Sequence, residues 1–199
     1  MKQPDSCRFC RVYAAVALVL AVVAGAGTAV QFGLGLGKFG GHEYMMRVVL
    51  LSAVGSLAPG VAGSALMIAF VVWAHPLSAS ALQAELPRFL KRGLVVSGPG
   101  YAAAAAVAIG TGFLTAHFGF AVPWDLAGQS FAKLARGDVA AGLVFTLFDA
   151  ALIVFLAWRY LPKLQASRQS LPMKLVLAWT FGTGLRLTVG LVGSMLLPS

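Results

Sequence analysis

Charge is scarce in this sequence. Asp, Glu, Lys and Arg make up 11% of its 199 residues, where a soluble globular domain carries about 25%. So few charges cannot cover a water-facing surface, which excludes an ordinary soluble fold and asks for an apolar solvent. Acidic residues are the scarcest: Asp5, Glu43, Glu85, Asp125, Asp138 and Asp149 are all there are. They are spread along the chain and offer no carboxylate pair for general acid–base work. There is no H-E-x-x-H, no G-x-S-x-G and no G-x-x-x-x-G-K, so the common zinc, serine and phosphate-binding chemistries have no signature here. The glycines at Gly33, Gly35 and Gly37 follow no strand and do not read as a nucleotide loop. An enzyme is not expected.

Metal ligands are few as well. The only cysteines are Cys7 and Cys10, a C-x-x-C with no second Cys or His pair near it to complete a zinc site. They read as a reduced pair beside a membrane entry, with juxtamembrane acylation as the alternative. Haem needs two axial ligands at one depth, and among His42, His75 and His117 only His42 and His117 share a side, His42 in a loop. His42, Glu43 and His117, with Asp125 and Asp138, form at most a weak outer metal set, because their spacing matches no dedicated site. They read as solvated loop residues, and no cofactor is expected.

What the chain does have is long apolar runs. Hydrophobic residues make up 59% of it. Runs at about 12–37, 48–74, 94–120, 139–158 and 175–197 each reach the roughly 20 residues that cross a 30 Å hydrocarbon core. They lack the alternation of barrel strands, so spanning helices are the form that satisfies the backbone in lipid. The fold class expected is an all-α, polytopic bundle of five spanning helices, a single membrane domain over 1–199. The first run resembles a signal peptide in its basic start and its Ala24-Gly25-Ala26, but it continues to Gly37 and is expected to stay as a span. Residues 77–92 carry Leu82, Leu86, Phe89 and Leu90 at helical spacing. They are expected to form an elbow, or a short interfacial helix broken at Pro87.

The net charge of +9 sits in the loops. Lys2, Arg8, Arg11, Arg88, Lys91, Arg92, Arg159, Lys163, Arg168 and Lys174 fall on one side. Lys38, Arg47, Lys133 and Arg136 fall on the other. This bias predicts a cytoplasmic N-terminus and an outside C-terminus in a cell membrane, the bacterial inner membrane. Anionic lipid headgroups are the expected partners of these charges, and nucleic acid is not, since no contiguous basic face is present. Trp73, Trp124, Trp158 and Trp179 fall near run ends, where aromatic belts form.

Lipid tails are as apolar as leucine, so close approach at small residues drives helix association. Ser56, Gly60 and Ser64, then Gly98, Ala102, Ala106 and Gly110, then Gly182, Gly190 and Ser194 recur on that spacing. They predict tight contacts within the chain, in a homo-oligomer, or with other membrane subunits. Pro59-Gly60 near the middle of the second run, and Pro99 in the third, mark sites where a helix kinks or breaks.

Two charges lie deep in the runs: Asp149 and Arg186. Asp149 is about 15 Å of helix rise from Arg159, and Arg186 about 18 Å from Lys174. On consecutive antiparallel helices both charges fall near one depth. Either one alone costs at least about 2.5–3.5 kcal/mol at the bilayer centre, so an Asp149–Arg186 ion pair is expected, with Thr146 on the face of Asp149 and Thr183 beside Arg186. Leu185-Arg186-Leu187-Thr188 with Leu191 resembles the arginine-bearing helix of the proton-channel subunit of rotary ATP synthases, over a stretch too short to carry a family. The function expected is a small transporter or channel component whose Asp–Arg pair lines a proton or ion path. The alternatives are a structural or assembly subunit of a larger membrane complex, and a membrane redox or metal-handling protein.

Overall fold

The computed structural model describes residues 6–33, 57–119, 127–181 and 184, and these are helical apart from short turns. The helices are α1 (Ser6–Gly33), α2 (Ala58–Ala74), α3 (Ala79–Gly119), α4 (Ala127–Ala166) and α5 (Leu171–Phe181). Among the described residues three stretches are long and apolar enough to cross a bilayer: Arg8–Gly27, Ala79–Thr111 and Gly142–Ala166. α2 and α5 are shorter apolar helices over the described residues. The protein is therefore an all-α, multi-pass membrane protein by length and composition. Lipid offers the backbone no hydrogen bonds, which is why such apolar sequences take up helix.

The element boundaries follow local chemistry. α2 ends at His75-Pro76, because proline cannot continue a helix. α3 starts behind Ser78, whose Oγ accepts from the backbone N–H of Ala81 at 3.4 Å. α2 is apolar on every side and is accordingly enclosed by α1, α3 and α4. Phe9 near the start of α1 lies 5.1 Å from Phe70 near the end of α2, and 6.1 Å from Phe89 near the start of α3. Gln165 at the end of α4 donates to the carbonyl of His75 at 3.3 Å and to that of Leu77. Lys174 on α5 donates to the Gln165 carbonyl at 3.5 Å. The helices thus alternate in direction, and Arg8, Arg11, Arg88, Lys91, Arg92, Arg159, Lys163, Arg168 and Lys174 gather at one end of the bundle.

Three sequence expectations are corrected. Residues 77–92 are neither an elbow nor a separate interfacial helix: from Ala79 they are the first part of α3, which runs through both Pro87 and Pro99 for 41 residues. Leu82, Leu86, Phe89 and Leu90 are all buried there. Their close packing in one cluster with Phe9, Phe70 and Trp73 offsets the cost of the interior proline. The fourth run is also longer than 139–158: α4 reaches from Ala127 to Ala166, so Lys133 and Arg136 belong to a helix, not a loop. Finally, Trp73 is no belt residue. It is buried against Phe89 with ring centroids 3.8 Å apart, while Trp158 and Trp179 do face outward. Trp124, and the Gly182, Gly190 and Ser194 stripe, lie outside the described residues.

Large aromatics seat directly on glycines. A Cβ at Gly93 would stand 2.5 Å from Phe70 Cζ and 3.3 Å from Leu66 Cδ1. Gly93→Val should therefore lower stability by about 1–3 kcal/mol, read as a lower midpoint of thermal unfolding in detergent. Gly27→Ala, where nothing lies within 4 Å, should leave that midpoint in place.

Candidate functional site: a buried carboxylate between two helices

α4 is inverted relative to a helix in water. Val144, Phe145, Leu147 and Phe148 point outward, with Val144 66% exposed. Gly142, Thr146, Asp149, Ala150 and Ile153, at spacings of three and four, form the buried face. Polar groups inside and apolar groups outside is the arrangement lipid selects. Asp149 is 8% exposed and Thr146 1%.

α2 presents Gly63 to this face. A Cβ there would lie 3.8 Å from Asp149 Oδ2, 3.6 Å from Asp149 Cβ and 3.2 Å from Ile153 Cδ1. The carboxylate is thus seated against a bare stretch of α2 backbone. Thr146 Oγ1 donates to the Gly142 carbonyl at 2.8 Å, the usual way a hydroxyl is satisfied inside a helix. The Tyr101 hydroxyl of α3 abuts Gly142 itself, and its fully buried ring packs with Ala58 and Ala62 of α2. Ser97, one turn before Tyr101, is buried and donates to the Leu94 carbonyl at 2.6 Å. A polar layer therefore runs from Tyr101 across Gly142 and Thr146. Asp149 lies three residues beyond Thr146, about 4.5 Å further toward the basic end of α4.

Of the residues singled out from sequence, Asp149 and Thr146 share one inward face, as the spacing implies. Arg186 and Thr183, their proposed counterparts, lie outside the described residues. So do His42 and Glu43, and the side chain of His117. Pro59 sits in the first turn of the described part of α2 and is buried, with Gly60 beside it. Leu57 before it already has helical dihedrals, φ −79° and ψ −44°. Pro99 does not break its helix: it lies on the exposed side of a continuous α3. The stripe of Gly98, Ala102, Ala106 and Gly110 faces outward too, and nothing lies within 4 Å of a Cβ at Gly98 or Gly110. The inner face of α3 is instead Ser97, Tyr101, Ala104, Ala105 and Ala108. Among the described residues no three His, Cys, Asp or Glu side chains group as metal ligands, and Cys10 is an exposed thiol.

Sequence reading missed Tyr101 and Ser97. Their signal was present: a lone tyrosine beside an alanine run carries a hydroxyl that needs a partner in lipid. No family model, curated protein or solved structure matches the chain.

The Tyr101–Gly142 contact is testable by a double-mutant cycle. Gly142→Ala should cost about 1–3 kcal/mol of stability, measured by unfolding in detergent. In a Tyr101→Phe background the cost should be smaller by at least about 0.5 kcal/mol, the coupling expected of touching residues.

Proposed function

We propose that this protein is a small transporter or channel component in which Asp149 lines a path for a proton or small ion. The observation that carries this reading is the buried carboxylate itself, held on the inward face of α4 against Gly63. Ionisable groups at such depth are costly and mark ion or proton routes. Arg186, which lies outside the described residues, is read as the opposite charge that pairs with Asp149. Few polar groups line the described helices, which favours a proton or a small ion over a large polar solute. The five apolar runs are read as five spans. The basic end, holding the starts of α1, α3 and α5 and the ends of α2 and α4, is read as cytoplasmic, in a bacterial inner membrane.

A second reading rests on a different observation. The Gly98, Ala102, Ala106 and Gly110 stripe turns away from the bundle and offers a close-approach surface to another helix. It supports an assembly subunit or a homo-oligomer.

Proton or cation flux into liposomes loaded with a pH- or ion-sensitive dye separates the two. Asp149→Asn should fall to the protein-free leak rate while the variant still inserts and unfolds cooperatively. Undiminished flux in that variant, or none in the wild type, removes the transport reading. Ala102→Leu with Ala106→Leu should convert an oligomer to a monomer by crosslinking in the bilayer, and an unchanged state rejects the assembly surface.

A further inference from the structure

An apolar cavity of about 230 Å³ opens on the side of the bundle between α2, α4 and α5. Met67, Phe70, Ile153 and Leu156 form its inner wall. Leu177 and Phe181 of α5 line it and are themselves well exposed, so its mouth lies on the outer surface of the helices. Walls this apolar give water nothing to bond, and such cavities stay dry and take apolar ligands.

The cavity has one polar edge. Tyr160 lines it, its ring tilted 57° against that of Phe181 with centroids 5.1 Å apart. Arg159 and Lys163 each hold their charge 5.9 Å from the Tyr160 ring centroid. Both cations sit on exposed positions of α4, at the end of the bundle where the other basic residues collect. The site is thus amphipathic along its length: from Ile153 to Leu164 it runs about 16 Å down α4, hydrocarbon at one end and positive charge at the other. At about 230 Å³ it has no room for a partner helix, which is about 10 Å across with its side chains.

We propose that this cavity holds one acyl chain of an anionic phospholipid, with the headgroup bound by Arg159 and Lys163 over Tyr160. The occupant comes from the surrounding bilayer, and the proposal does not depend on transport. A zwitterionic lipid fits the apolar part equally well but gains no net attraction from the two cations. Selectivity therefore resides in Arg159 and Lys163, and retention in the cavity.

Native mass spectrometry of the full chain in mild detergent tests this, with phosphatidylglycerol or phosphatidylcholine of matched chains added. The wild type should retain one phosphatidylglycerol with a preference of about tenfold, given the pull of basic residues near a membrane surface. Arg159→Gln with Lys163→Gln should bring the two lipids to parity. Ala178→Phe, which fills the cavity, should lose both. Equal retention of the two lipids by the wild type, or wild-type preference in the charge variant, overturns the proposal. Because Arg159 and Lys163 are exposed, the charge variant decides the matter even if the Ala178 variant folds poorly.

Discussion

The bundle depends on bulky aromatic side chains seated on glycine backbone. Phe70 of α2 sits on Gly93 of α3, Tyr13 of α1 on Gly100 of α3, and Tyr101 of α3 on Gly142 of α4. These contacts join α1 to α3, α2 to α3 and α3 to α4. The physical reason lies in the solvent. Two helices in lipid gain little by hiding apolar surface from hydrocarbon, so they associate through close dispersion contact. A ring against a bare backbone brings many atoms to contact distance at once. A glycine in the facing helix is the only residue that leaves room for it.

That constraint also shapes the polar interior. Where rings and glycines set the spacing of α3 and α4, the hydroxyls of Tyr101 and Thr146 are trapped beside the Gly142 backbone. Gly63 performs the same service for Asp149 further along that face, leaving room on α2 for a carboxylate. The buried Tyr13 hydroxyl is different: it meets Gly100 and has no hydrogen-bond partner among the described residues. A buried polar atom in that state carries a desolvation cost of about 1–3 kcal/mol. The aromatic contacts around Phe9, Phe70 and Phe89 hold it in place.

The basic end of the bundle is built differently from its middle. At the basic end, Gln165 reaches the carbonyls of the α2–α3 turn, and Lys174 reaches back to Gln165. These long-range hydrogen bonds fix the turn against α4 and α5 where headgroups and water compete for backbone groups. Deeper in, Thr146 and Ser97 bond within their own helices. The charged rim at this end then frames the apolar cavity, so that hydrocarbon and positive charge meet at Tyr160.

The sequence by itself determined the solvent, the helical class and the crowding of positive charge at alternate run ends, because each follows from composition and from the 20-residue length needed to cross lipid. It also placed Thr146 and Asp149 on one face, since helical spacing alone decides that. It did not determine which face of α3 turns inward. Gly98, Ala102, Ala106 and Gly110 look like the packing stripe in one dimension, yet the neighbouring face with Ser97, Tyr101 and Ala104 was buried instead. Nor did it decide that α3 continues through two prolines, or that Trp73 lies in a core. Those outcomes rest on which rings find glycines on other helices. That match is a property of three-dimensional fit between distant parts of the chain, and no local pattern encodes it.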